Sequence, residues 1–265
     1  MNPVLVADPA GNNPLPQLHA NGSPVDPKEF VEPGTGLAVT VGFIALGFGI
    51  LIGGICSYGI LWLVLLLAPI TYLIHRKKAI AALKGSAVEV SQNQFPEIDQ
   101  CVLTIASRLG MSTAPKVYIL ESNTINAGAI KLAGKKVIML HDDIVDACLR
   151  SGDARTLTFI IGHEMAHHAL GHTGFLRFSL GKAFKKLSRL DEFSADAVAG
   201  ALVSDNRVSA RAIALLTVGP QLMSYLNFNS LWQQAQEVVA DKNSQKAERR
   251  LTHPLLLRRL SRFIS

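Results

Sequence analysis

The densest chemistry in the chain is the run His163-Glu164-Met165-Ala166-His167. On a helix, residues four apart lie on one face, so the two imidazoles point the same way. Paired imidazole nitrogens suit Zn²⁺, whose Zn–N distance is about 2.0–2.1 Å. Glu164 follows the first ligand and stands in reach of a water on that zinc, the general-base position of metal-assisted peptide hydrolysis. Phe159, Ile160, Ile161 and Ala166 make the helix apolar and point to burial. Two histidines and a glutamate are expensive there unless they are paired or hold a metal. Core histidines satisfied near a surface are the competing explanation.

A hydrolytic zinc site takes a third protein ligand and keeps one position open. The candidate lies downstream in Asp191-Glu192-Phe193-Ser194-Ala195-Asp196. Glu192 would be the third ligand. Asp196, one helical turn later, would accept a hydrogen bond from a ligand histidine and set its tautomer. A solvated acidic helix start is the plain reading of this stretch. Ala195, Ala197, Val198, Ala199 and Ala201 weigh against it, because they describe a helix packed on both sides. His168 and His172 are rival ligands. His168 points off the shared face, and His172 falls near Gly171 and Gly174, where the helix should end.

The pattern His-Glu-x-x-His with Glu-x-x-x-Asp about 25 residues on resembles the gluzincin metallopeptidases. Within them it is similar to the membrane-linked group that includes the HtpX-like and CAAX prenyl endopeptidases. His172 sits where that group often has a histidine after the zinc helix. Asn126-Ala127 matches the group's Asn-Ala strand beside the cleft. Thr252-His253-Pro254 with Arg259 resembles its C-terminal His-Pro motif and following arginine. The resemblance covers roughly 75–265. It implies a zinc-dependent endopeptidase with one Zn²⁺ per chain, a peptide or protein substrate, and a role in membrane protein quality control. It also implies that His253 helps stabilise the oxyanion. Arg259 would pair with a buried carboxylate such as Asp196, and the strand carrying Asn126 and Ala127 would bind substrate backbone by strand addition. Without the resemblance, His253 reads as a residue at a helix start before Pro254.

The chain departs from that group in two places. HtpX-like proteins carry a second transmembrane pair between the zinc helix and the third ligand. Here 168–191 is short and holds Arg177, Lys182, Lys185, Lys186 and Arg189, so it cannot span a bilayer. All membrane contact is therefore expected at the N-terminal side, and 173–190, with Gly174 and Gly181, could form a flap over the cleft. The Asn-Ala motif also continues with the small pair Gly128-Ala129.

These residues need a scaffold, and the pattern of the chain outlines an α+β one: a mainly helical zincin-type domain with a small antiparallel sheet, preceded by a transmembrane segment. Residues 1–36 are polar and rich in Pro, Gly and Asn, and read as a disordered tail. Residues 37–75 form the transmembrane region, and 76–265 the metallopeptidase domain. No residue from 37 to 74 is charged, and about 20 apolar residues suffice for one span. Gly53-Gly54 and Ser57-Tyr58-Gly59 look like a turn, which favours a two-helix hairpin (37–53 and 58–75) over one long tilted helix. Ile98, Val102, Ile105 and Leu109 have helical spacing within 94–110. Residues 115–122, 125–132 and 135–140 read as strands, the last two as a hairpin around Ala133-Gly134. Everything after Asp142 reads as helical.

Composition agrees with a membrane protein: 49% of residues are apolar and 17% charged, below the roughly 25% charged of a soluble domain. The net charge of +6 is scattered, without the aromatic interleaving of a single-strand binder. No nucleic-acid partner is expected, whereas an anionic lipid surface is. His75-Arg76-Lys77-Lys78 directly after the apolar stretch favours a cytoplasmic catalytic domain, in a bacterial inner membrane. Cys56, Cys101 and Cys148 show neither disulfide nor zinc-site spacing, which fits reduced thiols. Two other classes compete with the endopeptidase: a catalytically inactive, membrane-tethered metal-binding interaction protein, and a zinc hydrolase of non-peptide substrates. A purely structural zinc has no use for Glu164.

Overall fold

The computed structural model describes residues 15–121, 126–132, 134–150 and 153–263. Two apolar helices, α1 (Thr35–Cys56) and α2 (Ile60–Ser86), lead into the rest of the chain. The apolar stretch breaks at Ser57–Gly59, where Tyr58 and Gly59 take positive φ of 51° and 87°. Trp62 lies so close over Gly54 that a Cβ there would meet the indole at 2.3 Å. Among the described residues, α1 is long and apolar enough to cross a bilayer. Most large side chains of α1 and those described for the first half of α2 are exposed.

The expected tail is corrected over 15–34, while 1–14 lie outside the described residues. Leu18, Ala20 and Pro27 are buried, and a short 3₁₀ turn spans Pro27–Phe30. Arg108 donates to the carbonyls of Ser23 (2.9 Å), Ala20 (2.8 Å) and Leu202 (2.7 Å). The Glu32 amide donates to Ser194 Oγ at 3.0 Å. The polar composition hid a few apolar residues and a set of carbonyls that one buried guanidinium satisfies.

The domain proper follows in order. Strand β1 (Ala87–Glu89) precedes α3 (Pro96–Arg108), β2 (Lys116–Leu120), β3 (Ala127–Leu132) and β4 (Lys135–His141). Helices α4 (Asp142–Arg150), α5 (Arg155–Ala169), α6 (Phe175–Ala183), α7 (Lys185–Val203) and α8 (Asn206–Val218) come next. The chain closes with α9 (Phe228–Ala240), α10 (Lys242–Glu248) and α11 (Leu256–Leu260). In α3, Ile98, Val102 and Ile105 are buried as their spacing predicts, and Gly110 ends the helix at φ 62°.

The sheet has the order β1-β2-β4-β3. β3 and β4 form the expected antiparallel hairpin, with Ala127 opposite Leu140 and Ile130 opposite Val137. Position 125 and Ala133 lie outside the described residues. β2 pairs with β4 in parallel, so the sheet is mixed and not purely antiparallel. The reason is burial: Val137, Ile138 and Leu140 make β4 the strand for the sheet interior. The glycine- and alanine-rich β3 is left at the edge. β1 escaped the sequence reading because three residues carry no alternation to detect.

Helix α5 runs through the core. Leu157, Phe159, Ile161, Met165 and Ala166 are wholly buried. Helix α7 crosses it closely at Gly162, where a Cβ would meet Leu202 Cδ1 at 2.9 Å. That close crossing brings the middle of α7 against the histidine face of α5.

Candidate metal centre and cleft

His163 and His167 leave α5 on one face, as i and i+4 residues must. Glu192 reaches them from α7. The His163 and His167 Nε2 atoms are 3.2 Å apart. Glu192 Oε2 lies 3.6 Å from His163 Nε2, and Oε1 lies 3.4 Å from His167 Nε2. Among the described residues these three form a group able to hold a metal ion. Ligands about 2.0–2.1 Å from a tetrahedral centre stand about 3.3 Å from one another, so the spacing fits zinc with a fourth position left over. The donor set, two imidazoles and a carboxylate, fits as well.

Behind each histidine stands a second group. His163 Nδ1 is 2.9 Å from Asp196 Oδ1, a close contact that falls short of ideal hydrogen-bond alignment. Asp196 is itself gripped by Arg259, which donates from Nε to Oδ2 and from Nη2 to Oδ1, each at 2.7 Å. Arg259 Nη1 also lies 3.5 Å from Glu192 Oε2. Burial opposes charge on Asp196 and Glu192, yet Arg259 and His163 hold the first below its ordinary pKa. His163, His167 and His253 hold Glu192 well below its own. Burial disfavours the charged form of His163, but Asp196 and Glu192 outweigh it and raise the imidazole to about 10.

His167 is oriented differently. Its Nδ1 lies 3.0 Å from His172 Nδ1, and His172 Nε2 lies 3.3 Å from Asp191 Oδ1. Asp191 in turn is paired with Arg177 of α6. With His167 presenting Nε2 to the cluster, its Nδ1–H donates to His172 Nδ1, which leaves His172 Nε2 facing Asp191. Burial, His167 and Arg177 push His172 down to about 2, which keeps it neutral as this chain requires. Burial raises Asp191 to about 6, against the pull of Arg177. His172 thus stands behind His167. Sequence reasoning weighed it as a rival ligand and missed Arg177 and Asp191 altogether. His168 faces away: Nε2 meets the Val137 carbonyl at 3.0 Å and Nδ1 meets Thr173 Oγ1 at 2.9 Å. Its Nε2 must carry the proton, because a carbonyl only accepts.

A cleft of about 330 Å³ opens over the cluster. Glu164 lines it, as do Asn126, Ala127, Gly128 and Ala129 of the β3 edge, and Arg177, Phe178 and Lys182 of α6. Asn126 Oδ1 accepts from the Ala127 amide at 2.9 Å, and its carbonyl accepts from the His141 amide at 3.1 Å. His253 enters from the loop before α11, with Nδ1 3.3 Å from Glu192 Oε1, a contact that raises its pKa. Its side chain is otherwise exposed. The structure thus brings Glu164, His163, His167, Glu192, Asp196, Arg259, His253, Asn126 and Ala127 to one place.

Residues 92–180 match the family described as Peptidase family M48. The matched segment runs from just before α3 into α6; it includes His163, Glu164 and His167 and ends before Glu192. No curated protein and no solved structure matches the chain.

Proposed function

We propose that this chain, whose residues 92–180 match peptidase family M48, is a membrane-anchored zinc endopeptidase using His163, His167 and Glu192 as ligands. The observation that carries the reading is the spacing of the three ligand atoms, 3.2–3.6 Å, at the floor of a cleft that Glu164 lines. Bound zinc would acidify a water and polarise the scissile carbonyl. Glu164 accepts the proton of the attacking water and returns it to the leaving amine nitrogen. His253, with Nδ1 turned to Glu192, would as an imidazolium donate from Nε2 toward the oxyanion. The β3 edge offers unpaired backbone groups to an extended peptide, which Asn126 and Ala127 would help hold.

The exposed apolar surface of α1 supports anchoring in a bilayer, and the exposed apolar side chains from Ile60 to Ile70 of α2 support a second span. Positive residues at 76–78 support a cytoplasmic domain, in a bacterial inner membrane. The proposed substrates are protein chains, membrane proteins in quality control among them; the lipid bilayer is the other partner. Glu164→Gln tests the assignment: it should keep one zinc per chain and lose hydrolysis of a protein substrate by at least ~10³-fold. Cleavage by that variant at the wild-type rate would end the mechanism. Zinc content unchanged in Glu192→Ala would end the ligand set.

A further inference from the structure

Helix α6 exposes large apolar side chains. Leu176 is 61% exposed and Phe178 46%, and Phe175 is exposed beside them. The side of the helix that carries Leu176 packs one turn further on. Leu180 is fully buried and presses on α1 at Gly42, where a Cβ would meet its Cδ1 at 2.9 Å. Leu176, four residues before Leu180 and on the same side of the helix, is therefore turned toward α1, whose own exposed apolar side chains include Leu37, Val41 and Ile44. The charge around it has one sign. Residues 173–190 contain five basic residues and no acidic one. Arg177 turns inward to Asp191, while Lys182, Lys185 and Lys186 are exposed. Lys182 Nζ sits 4.6 Å from the centre of the Phe178 ring, an ammonium held beside an apolar surface. Apolar side chains flanked by lysines, on a helix too short to cross a bilayer, are the pattern of a helix lying in the lipid interface.

We propose that α6 lies in the surface of an anionic bilayer beside the α1 anchor, and that this sets the mouth of the cleft at the lipid boundary. The inference rests on the membrane reading of α1. Its consequence for substrate follows from position, since Arg177, Phe178, Gly181 and Lys182 of the same helix wall the cleft opposite β3. A polypeptide segment leaving the bilayer would meet the β3 edge without first crossing bulk water. The substrate class is thus a chain segment at the membrane surface.

The test uses the full chain in vesicles of phosphatidylcholine and phosphatidylglycerol carrying shallow nitroxide lipids. Cys56→Ser removes the exposed thiol, and Cys101 and Cys148 are buried. A single cysteine for an environment-sensitive fluorophore is then placed by Leu176→Cys on α6 or by Phe48→Cys on α1. The expected result is strong quenching by nitroxide lipid at both positions, with position 176 shielded from aqueous iodide. Quenching at 48 but not at 176, with iodide access at 176, overturns the inference and leaves the anchor standing. No quenching at either position overturns both. In the second arm, Leu176→Glu should cut a short soluble peptide at the wild-type rate and a vesicle-tethered peptide roughly 10-fold more slowly. An equal effect on both substrates would count against the interfacial role.

Discussion

Arg259 and Asp196 face each other as planar partners, joined by two hydrogen bonds of 2.7 Å between α11 and α7. Sixty-three positions separate them in the chain. Asp196 then meets His163, so α11 helps orient the first histidine of the candidate metal centre. Only a guanidinium offers this parallel fork; a lysine supplies charge without it.

Arg259→Lys should therefore weaken zinc binding by about 10–100-fold, the usual effect of losing a group that orients a ligand. Arg259→Ala should also destabilise the fold by about 3–5 kcal/mol, because Asp196 would stay buried with its charge unpaired. Competition with a chelator and urea unfolding measure the two effects. Wild-type zinc affinity in the lysine variant would show that the fork does not position His163.

Arg108 is buried and donates to three carbonyls, two of them in 20–23. Arg108→Met keeps its apolar contacts and removes those donors. The 15–34 segment should then open to limited proteolysis, with a stability loss of about 3 kcal/mol from the stranded carbonyls. An unchanged cleavage pattern would mean that Leu18, Ala20 and Phe30 suffice to hold the segment.

His168 bears on acid stability. Burial lowers its pKa to about 4, and the Val137 carbonyl only partly offsets that. An unfolded histidine takes up its proton near pH 6.5. Acidification therefore favours the unfolded chain: stability is full above pH 6.5 and declines as pH falls toward 4. The shift corresponds to about 3 kcal/mol. His168→Gln should lose less stability than the wild type between pH 7 and pH 4, both measured in urea with chelator present. Equal losses would assign the acid sensitivity elsewhere.

Thiol chemistry reports on packing. Burial pushes the Cys101 thiol up to about 12 and raises that of Cys148 as well. The thiolate is the reactive form, so both should resist alkylation in the native protein. Cys56, exposed on α1, is the one expected to react first in detergent. Removing zinc removes its binding free energy from the folded state. Cys101 and Cys148 should then alkylate faster, at a rate that follows local opening. Rapid native labelling of Cys148 would contradict its burial.

The local part of this protein was legible in its residues. Spacing of four on a helix is enough to put His163 and His167 on one face, because backbone hydrogen bonding sets 3.6 residues per turn whatever lies around them. The same periodicity located α3, and the turn-like residues inside the apolar run 37–74 mark the break between α1 and α2. Alternation and a glycine turn were enough to pair β3 with β4. Matters that depend on packing between distant segments were decided by the tertiary structure alone. The parallel pairing of β2 with β4 follows from which strand can be buried on both edges. The docking of 15–34 depends on one guanidinium meeting scattered carbonyls. The support behind His167 runs through His172, Asp191 and Arg177, which lie on a loop and two helices. Side-chain contacts of that kind have no period along the chain, so no spacing rule foretells them; they exist only once the close crossing of α5 and α7 at Gly162 has set the distances.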